Sequence, residues 1–199
     1  MTESAQWSKI DAGTQVGNHA WFFRGDQTVR YEKDDKAELG PIASPWPGLV
    51  NTIFARDLDA VSNAGNHFWF FKGDQTARYE TDDTLESGPI TKYWPGLSGT
   101  PFADGVDAGT QVGNHAWFFR GDQTVRYGKD DTVEVSSIVS AWPGLVDTIF
   151  ARDLDAVSNA GNHFWFFKGD QTARYETDDT LESGPITKYW PGLSIVLKP

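Results

Sequence analysis

The chain's four histidines, His19, His67, His115 and His163, follow one another at intervals of 48 residues, each preceded by an asparagine and followed two residues later by a tryptophan. Imidazoles repeated in this way can ligate a metal or haem, and the neighbouring amide and ring can grip a polar ligand. Four further tryptophans, Trp46, Trp94, Trp142 and Trp190, open WPGL strings at the same interval. An exposed indole beside amides and carboxylates is the usual makeup of a sugar site, its ring lying against C–H faces. The residues expected to bind ligand are therefore Asn18, His19 and Trp46 with their repeats Asn66, His67, Trp94, Asn114, His115, Trp142, Asn162, His163 and Trp190.

Carboxylates make the other candidate sites. The pairs Asp34-Asp35, Asp82-Asp83, Asp130-Asp131 and Asp178-Asp179 are adjacent in sequence, so their side chains diverge and cannot flank a scissile bond as glycosidase acids do. They read as solvated loops. No nucleophile with its base, phosphate-cradling glycine loop or cofactor motif stands in the chain, and the expectation is a protein that is not an enzyme. Four Asp-Ala pairs, at Asp11, Asp59, Asp107 and Asp155, form a further ring.

These residues recur because the whole chain recurs. Four units of 48 residues fill nearly all of its 199 residues, which places it among repeat architectures. Each unit reads as strand, Gly-Asn turn, aromatic strand, Gly-Asp turn, third strand, acidic loop and a Pro/Gly-broken segment forming a short outer strand or helical turn. In the aromatic strand His19, Trp21 and Phe23 face one way and Ala20, Phe22 and Arg24 the other. Both faces are apolar, as in a sheet sandwiched between two others. Trp21, Trp69, Trp117 and Trp165 are expected in that core, and the WPGL tryptophans half exposed. A sheet that cannot cover its own faces suits a propeller, and ring closure removes exposed edges. The expected fold is an all-β, four-bladed β-propeller forming a single domain, with blades at about 9–56, 57–104, 105–152 and 153–199.

Asp59-Ala60, WFFKGDQTARY from Trp69 to Tyr79 and the WPGL string from Trp94 to Leu97 recur in every unit with small variation. This set resembles the hemopexin-like repeat, which opens on an Asp-Ala strand, continues with an aromatic strand and ends in a short helix and a WPGL-like phrase. The resemblance covers almost the entire chain. It departs at Thr28-Val29 and Thr76-Ala77, where the family carries Tyr-Trp, and in lacking cysteine for the usual disulfide between first and last blades. It implies that the main-chain carbonyls of Asp11, Asp59, Asp107 and Asp155 point into a central tunnel and hold Ca²⁺ or Na⁺; each carboxylate capping a nearby backbone amide is the alternative. It also implies a second function class, a carrier or store binding haem, a polyamine or a metal at the tunnel mouth. The histidines start the second strand, one strand out from the tunnel, on a ring too wide for one ion.

A net charge of −11 with scattered basic residues weighs against nucleic acid as a partner and against anionic membrane surfaces. No apolar run approaches the roughly 20 residues of a membrane helix, and the N-terminus has no signal-peptide pattern. The expected location is cytoplasmic, or outside the cell by a route without a signal peptide. A multivalent carbohydrate-binding protein, with glycans as partners, is the first function expected, since weak repeated sites gain by avidity.

The copies also alternate. Residues 58–98 and 154–194 are identical, as are 11–31 and 107–127. The order A-B-A-B makes a pseudo-fourfold ring with a near-exact twofold. A units carry Ala20 and Ala116 where B units carry Phe68 and Phe164, and Val29 and Val125 where B units carry Ala77 and Ala173. Two kinds of groove between blades are expected, each occurring twice, and with them two equivalent ligand sites. Phe54, Phe102 and Phe150 lead into the next unit, whereas the last unit ends without one. Trp7 and the segment 195–197 are expected to pack there instead.

Overall fold

The computed structural model describes residues 7–64, 67–80, 83–160, 163–176 and 179–197. Each unit forms one antiparallel four-stranded sheet, with strands neighbouring one another in chain order. The first blade holds β1 (Ala12–Val16), β2 (His19–Arg24), β3 (Gln27–Tyr31) and β4 (Ala37–Pro41). The second holds β5 (Ala60–Ala64), β6 (His67–Lys72), β7 (Gln75–Tyr79) and β8 (Leu85–Pro89). The third holds β9 (Ala108–Val112), β10 (His115–Arg120), β11 (Gln123–Tyr127) and β12 (Val133–Ser137). The fourth holds β13 (Ala156–Ala160), β14 (His163–Lys168), β15 (Gln171–Tyr175) and β16 (Leu181–Pro185). The first strands lie against one another around the axis, β1 on β5, β5 on β9, β9 on β13 and β13 on β1, so the ring is closed. Among the described residues no helix is long and apolar enough to cross a membrane.

The turn between second and third strands needs a left-handed residue, and Gly25, Gly73, Gly121 and Gly169 supply it at φ of 56 to 58°, where a Cβ would be strained. After the fourth strand the second, third and fourth units form one helical turn, Ile90–Tyr93, Ile138–Ala141 and Ile186–Tyr189. The WPGL proline then starts a 3-10 turn at its first position, where its missing N–H leaves no bond unmade.

The core lies between blades rather than within them. Four clusters of buried apolar residues fill the four interfaces, and each takes one face of two neighbouring sheets. Phe23 of the first blade meets Phe70 of the second with ring centroids 6.1 Å apart, and Phe71 of the second meets Phe118 of the third at 5.3 Å.

Here the tryptophans depart from expectation. Trp46, Trp94, Trp142 and Trp190 are buried, at 3 to 7% exposure. Each leaves its own blade and wedges into the next one. Trp94 packs edge-on against Phe118 at 4.9 Å and Tyr127 at 5.1 Å, and Trp190 does the same with Phe22 and Tyr31. Of the strand-two tryptophans expected in the core, Trp69 is buried while Trp21, Trp117 and Trp165 keep part of their surface in solvent. The Pro-Gly break folds the outer segment under the neighbouring blade, so its indole takes the interior place.

The seam is closed by both ends of the described chain. Trp7 and Leu197 form a parallel bridge, and the Trp7 amide donates to the Val196 carbonyl at 2.5 Å. Trp7, Ile10, Val196 and Leu197 are buried in the interface of the fourth and first blades, while Ile195 faces solvent.

Candidate ligand-binding grooves

The turns between first and second strands and the loops after the third strands form one rim of the ring, and two grooves open there between blades. The groove between the fourth and first blades has a volume of about 460 Å³. Trp165, Tyr189 and Trp190 form one wall, Ala20 and Tyr31 the other, with Asn18, Glu32, Lys33 and His163 at the rim. Half a ring away, a groove of about 580 Å³ separates the second and third blades. Its wall of Trp69, Tyr93 and Trp94 faces Ala116 and Tyr127, with Asn114, Lys129 and His67 at the rim.

The alternation of units makes these two interfaces open. In each, a B unit presents its tryptophan and tyrosine to an A unit's alanine. At the other two interfaces an A unit meets a B unit, and phenylalanine takes the space. Phe68 lies 5.5 Å from Trp46, and Phe164 lies 4.4 Å from Trp142, centroid to centroid. A methyl in place of a benzyl group leaves a gap of about one ring, and the wall beside it stays aromatic.

The sequence candidates thus divide. Asn18, Asn114, His67, His163, Trp94 and Trp190 line the two grooves. His19 and His115 stand on the opposite faces of their strands, and Trp46 and Trp142 are covered by phenylalanine. Asn66 and Asn162 lie outside the described residues, as do Asp82 and Asp178. Tyr93 and Tyr189 were not expected. The signal for them is a tyrosine before WPGL in B units, where A units have Pro45 and Ala141. Each packs on its strand-two tryptophan, at 5.7 and 5.6 Å, and carries a lysine ammonium 4.7 Å from its ring centre. The indole nitrogens of Trp94 and Trp190 are buried without a hydrogen-bond partner, but Trp142 shares this, so it belongs to the wedge and not to the groove.

The histidines pair with charged side chains rather than with backbone carbonyls. His67 Nδ1 lies 2.6 Å from Glu80 Oε2 and His163 Nδ1 lies 2.5 Å from Glu176 Oε2. His19 and His115 take a hydrogen bond on Nε2 from Arg30 and Arg126, at 2.7 and 2.9 Å.

The tunnel's two mouths differ. One is a cavity of about 370 Å³ lined by Asp11, Asp57, Asp59, Asp107, Asp153, Asp155 and Lys9. The Asp11, Asp59, Asp107 and Asp155 carboxylates accept from the amides of Gly25, Gly73, Gly121 and Gly169, at 3.2, 2.6, 2.8 and 2.6 Å. The capping alternative is therefore the one their side chains adopt. Lys9 Nζ lies 2.9 Å from Asp155 Oδ1 and 3.6 Å from Asp11 Oδ1. Burial pulls its pKa down, but Asp155 and then Asp11 outweigh that and raise it. A resident ammonium thus supplies positive charge where a metal ion was expected, and this mouth fits a side-chain-held metal poorly. Among the described residues no three His, Asp or Glu side chains are arranged to hold one. The other mouth is neutral, about 240 Å³, and built of Thr14, Thr110 and the amides Gln15, Asn63, Gln111 and Asn159.

The acidic pairs depart from expectation too. Asp34 is solvated, but Asp35, Asp83, Asp131 and Asp179 turn left-handed, at φ of 61 to 65°, and accept the hydroxyls of Tyr31, Tyr79, Tyr127 and Tyr175.

The Hemopexin family model matches residues 58–99 and 154–194. No curated protein sequence matches significantly. Among solved structures the chain is similar to a 2S albumin seed protein from Dolichos, at 29% identity and a TM-score of 0.85 over 96% of this chain and 100% of that one. It is similar to the hemopexin fold protein CP4 from cow pea, at 24% and 0.81 over 94% and 98%. A plant lectin with two metal binding sites from Cicer arietinum matches at 22% and 0.81 over 96% and 99%. The chain is a four-bladed β-propeller of the hemopexin-like type, with its second and fourth units matched by the Hemopexin model itself.

Proposed function

We propose that the chain is a non-enzymatic, bivalent carbohydrate-binding protein whose sites are the two grooves between B and A blades. The observation carrying this reading is the repeated aromatic wall, Trp69 with Tyr93 and Trp165 with Tyr189, set opposite Asn114 and Asn18 in grooves of about 580 and 460 Å³. Sugar binding wants an aromatic surface for C–H faces and directional donors and acceptors for hydroxyls, and each groove brings both together. Two grooves half a ring apart can engage two glycans on one surface, turning weak sites into useful avidity. The similar lectin from Cicer arietinum lends support at the level of fold. A glycan array followed by hemagglutination and sugar inhibition tests the reading. Binding to a defined glycan set, lost when Ala20 and Ala116 are both replaced by phenylalanine, is the expected result; an array with no signal overturns it.

The acidic tunnel mouth favours one further reading, uptake of an organic polycation such as a polyamine, which would compete with Lys9 for Asp155 and Asp11. Spermine titration of the wild type and of Lys9→Ala separates it from sugar binding. Tighter binding by the variant supports it, and no heat from either chain dismisses it. A structural Ca²⁺ or Na⁺ on the carbonyls of Asp11, Asp59, Asp107 and Asp155 is a separate proposal, and for Ca²⁺ it falls if melts in chelator and in excess Ca²⁺ coincide. Nothing in the grooves favours haem, since His67 and His163 stand in different ones.

A further inference from the structure

The aromatic rings of each groove meet at steep angles, and the angle decides what shape they hold best. Between the second and third blades Trp69 is inclined 65° to Tyr93 and 63° to Trp94, with centroids 5.7 and 4.8 Å apart. Trp94 in turn stands at 85° to Tyr127, 5.1 Å away. Between the fourth and first blades the corresponding angles are 63° for Trp165 with Tyr189, 70° for Trp165 with Trp190 and 76° for Trp190 with Tyr31. All of these rings line their grooves. None of these pairs shares a plane, so the rings make a concave corner rather than one flat platform. Such a corner suits a compact, round group that touches several π-systems at once. A positive charge at the centre of that group adds attraction to the negative face of each ring, most strongly for indole.

The charged groups around the corner decide which cation fits. Lys129 and Asp131 line one groove, and Lys33 and Glu32 the other. Each pair is formally balanced. The carboxylates are also engaged, Asp131 by the Tyr127 hydroxyl and Glu32 by Arg30 Nη2 at 3.1 Å. A primary ammonium is strongly hydrated and finds no free carboxylate there to replace its water. A quaternary ammonium has no N–H to satisfy and sheds its water onto apolar rings at little cost. Lys92 and Lys188 already hold their ammonium groups 4.7 Å from the centres of Tyr93 and Tyr189. Neither lysine lines its groove, so they weaken the pull of the tyrosines and leave the tryptophans to carry it. A net charge of −11 raises the local concentration of any cation.

We propose that each of the two open grooves binds a quaternary ammonium group, an alkyltrimethylammonium of the choline type, in the corner made by its tryptophans and tyrosine. This goes beyond sugar binding but uses the same grooves, so the two ligands exclude one another. The other two interfaces refuse it because Phe68 and Phe164 stand against Trp46 and Trp142.

Isothermal titration of the full chain with choline chloride at constant ionic strength tests this, beside neohexanol, the uncharged carbon analogue of choline. The expected result is two choline sites per chain, with neohexanol bound about tenfold more weakly. Trp165→Leu is expected to abolish one site and leave the other at its wild-type affinity, a result that a misfolded chain cannot give. Ala20→Phe with Ala116→Phe is expected to remove both. Sedimentation with phosphatidylcholine vesicles, reversed by choline, assigns the same chemistry to a lipid headgroup, and choline binding without sedimentation assigns it to a free cation. Equal affinity for choline and neohexanol, or choline sites that survive both sets of substitutions, overturns the proposal. Glycans filling both grooves while choline binds neither also overturns it and leaves the lectin reading standing. Two choline sites removed by the double substitution, with no glycan bound on the array, does the reverse.

Discussion

Tyr31, Tyr79, Tyr127 and Tyr175 each end a third strand, and each ties one blade to the one before. The phenol donates to a left-handed aspartate four residues on. The phenol oxygen also accepts from the WPGL glycine amide of the preceding blade, Gly48, Gly96 or Gly144 at 3.2 to 3.3 Å, and Gly192 in the case of Tyr31. Those glycines are required by contact, since a Cβ on Gly96 would sit 2.1 Å from the Asp131 carbonyl oxygen. Burial first, and the bond to Asp83 or Asp179 second, push the Tyr79 and Tyr175 phenols up to about 12, and the same causes raise Tyr31 and Tyr127. A phenol that holds its proton more tightly folded than unfolded contributes stability in full below the unfolded value of about 10 and loses it as pH rises through the folded value. The melting temperature is therefore expected to be level through neutral pH and to fall between about pH 10 and pH 12. Tyr79→Phe is expected to lose about 1 kcal/mol at pH 7 and to flatten the alkaline fall. A melting temperature unchanged to pH 12 would contradict the clasp.

Blade pairs decide where ligand can enter. The strands, both hairpin turns and the two-sided aromatic strand were legible from alternation, from Gly-Asn and Gly-Asp, and from the 48-residue interval. The A-B order also gave two kinds of groove. What stayed illegible was which kind opens, because that depends on contacts between units. A WPGL tryptophan looks half exposed beside Pro-Gly, yet it meets its partners in the next blade, as Trp94 meets Phe118 and Tyr127. The paired acids looked solvated for the same reason, since Asp83 and its repeats bond a tyrosine that the neighbouring blade then covers. Groove occupancy follows from the Ala and Phe exchange, and Ala116→Phe with Val125→Ala rebuilds the closed interface in the open one. That variant is expected to melt within a few degrees of wild type, because at the same register of the second blade Phe68 already stands opposite Tyr79 with Ala77 two residues before it, and to lose one of two sugar sites. Retention of both sites, measured by titration, would place binding elsewhere.

At the scale of the ring, closure rests on a substitute. Three interfaces bury Phe54, Phe102 or Phe150, and the fourth buries Trp7 with Val196 and Leu197. Lys9, two residues on, adds a tie from the first blade to Asp155 of the fourth at 2.9 Å. Trp7→Ala empties the seam and is expected to cost about 3–5 kcal/mol, lowering the melting temperature by on the order of 10 °C. Calorimetry showing a shift under about 2 °C would mean that the seam is held elsewhere. The same ring sets valency, since a twofold in the sequence becomes two open grooves half a turn apart. That claim is tested most directly by the stoichiometry of the best neutral glycan on the wild-type chain and on the Ala20→Phe, Ala116→Phe double variant. Two sites per chain on the wild type and none on the variant is the expected result. One site, on the tunnel axis and untouched by the double substitution, would contradict it.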